Sequence, residues 1–204
     1  MRYLLIVMTL LFSSAAFSSE IDMSNPNKVI QSVSTNTFAR ITAEVARLKA
    51  DPDYIQVVIE EELIPYFDYK YAAYKVLGAH LRNTTIDQRN EFVEAFRLYL
   101  INSYGNILFK YDQQEIQISA NTNFKNANIV TIPVRIRGKD GQVAQLSFKL
   151  RENQKSGEWK VFDVIAEGIS MLNTKQSEIS ELIQRQGIDH VIKLLEKKNN
   201  EFSS

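Results

Sequence analysis

Cysteine is absent from the 204-residue chain, and glycine and proline are scarce, with 7 and 4 residues. Without a thiol, the chain has no cysteine nucleophile, no cysteine-based metal site, no disulfide and no lipidated cysteine anchor. The low glycine and proline content excludes a collagen-like chain and leaves no flexible linker between domains. The fold must therefore be stabilised by packing.

An excess of charge of one sign is also missing. The 24 lysine and arginine residues balance 24 aspartate and glutamate residues, so the formal net charge is zero. A neutral surface has no field that attracts phosphate backbones, which makes nucleic acid an unfavourable partner. The apolar residues, at 45%, are sufficient for one sizeable core.

Only the first residues form a long apolar run. Arg2 is followed by apolar residues from Tyr3 to Phe12 and then by small residues up to Ser18. This order is typical of a secretory signal peptide, which we expect at residues 1–18, with the mature domain at residues 19–204. The run is shorter than the roughly 20 residues that cross a bilayer. We therefore expect a soluble protein outside the cytoplasm.

From Asn25 to about Lys110 the apolar residues recur at steps of three and four, which predicts four or five helices. Asp51-Pro52 opens one helix, Pro65 opens or kinks another, and Thr85 with Gln88 forms a capping box. Near the end of the chain the helical period returns in two further helices, which Gly187 separates.

Between the helical parts, apolar and polar residues alternate with period two, which predicts four strands. Gly138 to Gly141 is typical of a hairpin turn. The last strand contains adjacent apolar pairs, Val161 with Phe162 and Val164 with Ile165, so we expect it to be covered on both faces. Helices, a meander and further helices indicate a single α+β domain.

Residues suited to catalysis are few. His80 and His190 are the only imidazoles, and structural roles are favoured for both. Asp163 lies in an apolar strand and needs hydrogen-bond donors if it is buried, so a structural hydrogen bond is its favoured role. The contiguous Glu60 to Glu62 indicate a solvated helix face. We find no metal-binding, nucleotide-binding or nucleophile motif, and predict no catalytic or metal site.

The turn around Gly168 is unusually apolar. It must be buried, docked on a partner or facing an apolar ligand, and the sequence modestly favours burial. Its apolar neighbours are Ile165, Ala166, Ile169, Met171 and Leu172. Arg135 and Arg137, with Lys139 beyond them, could meet an acidic head group, although a solvated sheet face is the commoner outcome.

Eight segments together are similar to one known family. They are Pro65-Tyr66-Phe67-Asp68, Val76 to His80, Thr84 to Arg97, Tyr104-Gly105, Trp159, Asp163-Val164, Glu167 to Ser170 and Gly187-Ile188-Asp189. In order and spacing they resemble the MlaC family, also called the toluene-tolerance auxiliary family. Two positions depart from its pattern, since Leu81 replaces a common Trp and His190 a common Gly.

The resemblance implies a periplasmic phospholipid carrier and no further cofactor. Its acyl chains would lie in an apolar pocket between helices and a curved antiparallel sheet of about four strands. The implied partners are an outer-membrane lipoprotein-porin complex and an inner-membrane ABC transporter with an MCE-domain ring. Lipid exchange between them would maintain the lipid asymmetry of the outer membrane.

The resemblance also places Gly168-Ile169-Ser170 near the acyl chains. Our candidate lipid-binding residues are Ile169, Val164, Met171, Leu77, Phe96, Leu100, Tyr104, Val134, Leu146 and Phe148. Candidate partner-binding residues are Arg82, Lys175 and Arg185. The alternatives are an enzyme acting on lipids or envelope polymers through Asp163, Glu167 or His80, and an adaptor without a ligand.

Overall fold

Helices occupy both ends of the described chain, and a sheet lies between them in sequence. The computed structural model describes residues 21–109, 115–119 and 122–201, so the expected signal peptide at 1–18 lies outside the described residues. The helices are α1 Pro26–Ala43, α2 Val45–Ala50, α3 Tyr54–Glu62, α4 Tyr69–Leu77, α5 Ile86–Phe109, α6 Met171–Gln186 and α7 Ile188–Glu201. None of these described helices has the length and apolar content needed to cross a membrane.

The helix boundaries follow from local capping chemistry. The Thr85 hydroxyl accepts from the Gln88 amide at 3.2 Å, and the Gln88 side chain accepts from the Thr85 amide at 3.0 Å, which confirms the capping box at the start of α5. Gly187 adopts a φ of 80° between α6 and α7, as expected for a helix stop.

The strands form one antiparallel sheet in the order β1-β2-β3-β4-β5. They are β1 Glu115–Ile118, β2 Ile129–Arg137, β3 Val143–Glu152, β4 Trp159–Ala166 and β5 Ile169–Ser170. All four expected strands and the α+β class are confirmed. The two-residue β5 was not expected, because it is too short to show a period. At the expected hairpin, the Gly138 amide donates to the carbonyl of Gln142 at 2.8 Å.

The apolar core lies on both sides of the sheet's last long strand. On one face of the sheet, which we call the inner face, Val29 and Ile30 of α1 pack with Trp159 of β4 in a group that we call the sheet cluster. On the other side of β4, Phe162 belongs to a helical cluster formed by α4, α5, α6 and α7. A third cluster joins α1, α2, α3 and α5. The expectation that this strand is covered on both faces is confirmed.

A bulge in β4 places the consecutive residues Phe162 and Asp163 on the same side of the strand. Leu150 of β3 pairs with Val161, but Lys149 pairs with Asp163, so Phe162 is the extra residue. A bulge of this kind directs two consecutive side chains to one side of a strand. Phe162 and Asp163 both face the helices, where the Phe162 ring meets Tyr71 edge to face at 5.2 Å.

The segment before α4 joins the helical part to the sheet. The Asp68 amide donates to the carbonyl of Val161 at 2.7 Å. The Asp68 carboxylate caps α4 by accepting from the Tyr71 amide at 3.1 Å and accepts from the Arg151 guanidinium at 2.6 Å. Arg151 also lies over the Tyr71 ring, 4.2 Å from its centre. The helical cluster is thereby fixed against β4.

Candidate functional site

An apolar row crosses the inner face of the sheet from its first strand to its last. Residues directly opposite each other on antiparallel strands share a face, so the pairing identifies the members of the row. The row consists of Ile118, Val134, Leu146, Ala166 and Ile169, each paired with the next. We call it the inner-face row.

Burial decreases along the inner-face row from Val134 to Ile169. Val134 is buried, Leu146 and Ala166 are partly buried, and Ile169 is 59% exposed. The neighbouring row, Ile132, Phe148 and Val164, runs parallel to it and is more deeply buried at the Ile132 end. The apolar face of the sheet therefore continues from the core to the molecular surface.

The structure brings five candidate lipid-binding residues into these two rows and places the others elsewhere. The five are Val134, Leu146, Phe148, Val164 and Ile169. Leu77, Phe96 and Leu100 lie buried in the helical cluster, on the other side of β4. Met171, the first residue of α6, is 40% exposed and follows β5 directly.

Tyr104 and Phe67 lie where the clusters meet. Phe67 packs against both the sheet cluster and the helical cluster, and its ring centre is 6.1 Å from that of Tyr104. Burial raises the pKa of the Tyr104 hydroxyl above its ordinary value of 10.0, and the charge of Asp163 raises it further. Phe67 is absent from the candidate lipid-binding residues, although the segment 65–68 that contains it is one of those that resemble the family.

The turn between β4 and α6 is exposed, contrary to the modest expectation of burial. Glu167 and Gly168 adopt φ values of 48° and 82°, which carry the chain through a tight reversal. The reversal directs Ile169 outward from the core at the end of the inner-face row. Docking on a partner and contact with an apolar ligand are the two expectations left for this turn.

Asp163 has the structural role that its position predicts. The side chain is 3% exposed, and its two oxygens accept from the Ser170 hydroxyl at 2.8 Å and the Leu172 amide at 3.0 Å. Glu167 is also engaged, since its carboxylate accepts from the Gln145 amide at 2.7 Å. His80 Nε2 lies 2.9 Å from the Ser180 hydroxyl.

The three consecutive glutamates of α3 form ion pairs with arginines of neighbouring helices. Glu60 pairs with Arg97, and Glu61 and Glu62 pair with Arg40, which links helices α1, α3 and α5 at the surface. No cluster of three or more metal-ligating side chains occurs within residues 21–109, 115–119 and 122–201.

The three cations proposed to bind a partner protein differ in whether a carboxylate of this chain pairs with them. Lys175 pairs with Glu178 at 2.6 Å and lies over the ring of Tyr99. Arg185 pairs with Glu181 at 2.6 Å. Arg82 is exposed, and the described part of the chain supplies no carboxylate for it. Among the described residues, Arg82 is therefore the one of the three cations that no carboxylate pairs with.

Arg135 and Arg137 lie on the outer face of the sheet, opposite to the inner-face row. Arg135 pairs with Gln117 on β1 and Gln145 on β3, and these residues line a shallow groove of about 170 Å³. The outer face is exposed, as expected for a solvated sheet face, and these cations do not point toward the apolar rows.

Comparisons with known proteins converge on one family. A family model described as MlaC protein matches residues 31–197. A Haemophilus influenzae protein named "Intermembrane phospholipid transport system binding protein MlaC" is 33% identical over 169 residues, which cover 82% of this chain and 79% of the relative. The Pseudomonas putida "Toluene tolerance protein ttg2D" is 26% identical over 165 residues, or 80% of this chain and 75% of that protein.

A solved structure shares the fold. It is the phospholipid-binding protein from Ralstonia solanacearum in complex with a phospholipid, with a TM-score of 0.78 and 15% sequence identity. The match covers 88% of this chain and 99% of that one. At this identity the likeness concerns the fold.

The raised pKa of Tyr104 predicts a dependence of stability on alkaline pH. In the unfolded chain the hydroxyl ionises near its ordinary pKa of 10.0, whereas in the folded protein it keeps its proton to higher pH. Its contribution to stability is therefore complete below pH 10.0 and is lost progressively above it. We expect Tyr104→Phe, which cannot ionise, to lose less unfolding free energy above pH 10.0 than the wild type does in urea denaturation. Equal losses would show that water solvates the Tyr104 hydroxyl.

Proposed function

Because the chain belongs to the MlaC family, we propose that this protein carries a phospholipid through the periplasm, with the acyl chains against the inner face of the sheet. The family model covers residues 31–197, and the relative with 33% identity is named as a phospholipid transport protein. The proposal rests on the inner-face row, because this row of apolar side chains runs from the buried Val134 to the exposed Ile169.

Burial of acyl chains supplies enough free energy to retain a lipid. Each buried methylene contributes about 0.8 kcal/mol, so two chains with roughly 30 methylenes gain on the order of 20 kcal/mol before ordering costs are subtracted. A lipid held in this way leaves slowly without help. A carrier therefore depends on partner complexes that open the apolar interior or offer a competing one.

The clusters on either side of Phe67 are closely packed, so we infer that lipid entry separates side chains that now touch. Phe67 contacts Tyr104 and joins the sheet cluster to the helical cluster. Apolar surface left unfilled loses packing contacts, so a bound lipid would stabilise the opened form.

The second part of the proposal concerns the route that the lipid takes between the two membranes. We infer that the protein exchanges lipid with an outer-membrane lipoprotein-porin complex and with an inner-membrane ABC transporter bearing an MCE-domain ring, and so maintains outer-membrane lipid asymmetry. The name of the Haemophilus influenzae relative, which refers to an intermembrane transport system, supports this route. In this arrangement the transporter hydrolyses ATP and the carrier performs no chemistry.

The rival proposal is an enzyme that uses Asp163, Glu167 or His80. The engagement of these groups in structural hydrogen bonds disfavours it, because a general acid or base needs a free lone pair or proton at the substrate. Turnover of a labelled phospholipid that Asp163→Asn abolishes would favour the enzyme.

We expect Ile169→Glu to remove the bound phospholipid while the fold remains intact. A carboxylate against acyl chains is unpaired and costs several kcal/mol, which reduces retention by orders of magnitude. The side chain is 59% exposed, so water solvates the charge when no lipid is present. The measurement is mass spectrometry of a solvent extract, with a thermal melt of the same sample.

Ile86→Glu is the matched control, because Ile86 is 71% exposed on α5 and belongs to no candidate site. We expect it to keep both fold and lipid. A folded Ile169→Glu protein that still contains its phospholipid would remove Ile169 from the site. A wild-type protein that yields no phospholipid after purification from the periplasm would overturn the carrier itself.

The accessible charge of Arg82 leads to a prediction about partner contact. A shuttle must leave both membranes, which suits an affinity near 1 μM, or about −8 kcal/mol. We expect Arg82→Glu to slow lipid transfer to the purified inner-membrane complex by about tenfold at low salt. Arg185→Glu should have a smaller effect, since Arg185 is already paired with Glu181. Unchanged transfer after charge reversal at Arg82, Lys175 and Arg185 together would exclude this surface.

A further inference from the structure

Hydrogen bonds at both ends of the exposed turn that carries Ile169 hold the turn against the sheet. We call each of these two sets of hydrogen bonds a tie. At its start, the Glu167 amide donates to the carbonyl of Gln145 at 3.0 Å, and the Glu167 carboxylate accepts from the Gln145 amide at 2.7 Å. At its end, the Asp163 carboxylate binds Ser170 and Leu172. The only residues between these ties are Gly168 and Ile169.

The tie at the end of the turn depends on the buried carboxylate of Asp163. Asp163 is 3% exposed, and an ionised carboxylate is costly to bury unless hydrogen bonds and opposite partial charges compensate it. Each of its oxygens accepts one hydrogen bond, and the carboxylate lies at the N-terminus of the 16-residue α6, where the helix dipole favours a negative charge. Lys149 lies opposite Asp163 on β3.

Ser170 connects the Asp163 carboxylate to helix α6. Its hydroxyl donates to Asp163 and also accepts from the Asn173 amide at 3.0 Å, which caps α6. Ser170 therefore connects strand β4 to the first turn of α6 through one side chain. Ile169 and Met171, the residues on either side of Ser170, are the exposed apolar ones.

We propose that Asp163 is a positioning residue for lipid carriage. Its carboxylate holds Ser170 and the first turn of α6 against β4 and thereby keeps Ile169 aligned with Leu146 at the exposed end of the inner-face row. When these Asp163 contacts are lost, only the short pairing of β5 with β4 and the Glu167 contacts still hold the turn, so it opens more often and the phospholipid exchanges faster. The inference rests on the proposed function, because it concerns the rate at which a carried lipid leaves.

The experiment compares variants that remove the tie with one that keeps it. Asp163→Ala deletes both acceptors, and Ser170→Ala deletes one hydrogen bond to the carboxylate together with the helix cap. Asp163→Asn keeps the tie without the charge, because its amide oxygen can accept from Leu172 and its amide nitrogen can donate to Ser170. Each protein is loaded with fluorescently labelled phosphatidylethanolamine, and transfer to phosphatidylethanolamine and phosphatidylglycerol vesicles is timed.

A matched control separates positioning from loss of stability. Asn102 of α5 donates to Asn199 of α7 at 3.3 Å in a buried contact outside the turn. Asn102→Ala lowers the melting temperature by breaking this contact, and we expect it to leave the transfer rate unchanged. We expect Asp163→Ala and Ser170→Ala to transfer lipid about tenfold faster than the wild type, since each loses a hydrogen bond to an ionised group. Asp163→Asn should transfer lipid at close to the wild-type rate.

The outcomes distinguish this inference from the carrier proposal. A wild-type protein that takes up no labelled lipid contradicts the carrier. A wild-type protein that takes up lipid, with Ser170→Ala transferring it at the wild-type rate, overturns the positioning role alone. Equal acceleration in Asn102→Ala also overturns it, because general destabilisation would then be sufficient. If Asp163→Ala does not fold, Ser170→Ala and Asp163→Asn still decide the question.

Discussion

The rest of the structure depends on the packing of β4 on both of its faces. A strand with one buried face alternates apolar and polar residues, whereas a strand between two apolar layers must supply side chains to each. Val161 and Val164 of β4 lie on the inner face, and the bulge turns both Phe162 and Asp163 toward the helices. Side chains of β4 therefore belong both to the helical cluster and to the sheet cluster.

This shared strand connects the apolar interior with the exposed turn. Val164 and Ala166 continue the two apolar rows across β4, and Asp163 fixes the start of α6 from the opposite face. The same few residues thus set the position of Ile169 relative to Leu146. An apolar face that begins in a packed core and ends at the molecular surface has the shape that a ligand with long apolar chains and a polar head group requires.

Local chemistry made much of the fold predictable. The capping box of Thr85 and Gln88, the stop at Gly187 and the period-two strands depend on near neighbours in sequence, and all are confirmed. β5 was missed, because its two residues become a strand only by pairing with β4. Asp163 was predictable because a carboxylate within an apolar strand requires donors, although the sequence could not identify them.

The candidate site was less predictable than the fold. Periodicity indicates which residues of an element share a face, but it does not show which layer that face meets. Leu77 and Phe96 are therefore apolar and buried as expected, yet they belong to the helical cluster, whereas Leu146 and Phe148 lie on the inner face of the sheet. Ile169 is exposed because the positive φ values of Glu167 and Gly168 turn the chain, a backbone effect that apolar composition does not reveal.

The position of the acyl chains tests lipid carriage on the inner face most directly. The measurement is an NMR experiment that detects intermolecular nuclear Overhauser effects between a bound phospholipid and the methyl groups of the protein. A lipid carried on the inner face must show contacts from its acyl chains to Val134, Leu146, Val164 and Ile169. Contacts confined to Ile129 and Val143, which are exposed apolar residues of the outer face, would contradict carriage on the inner face.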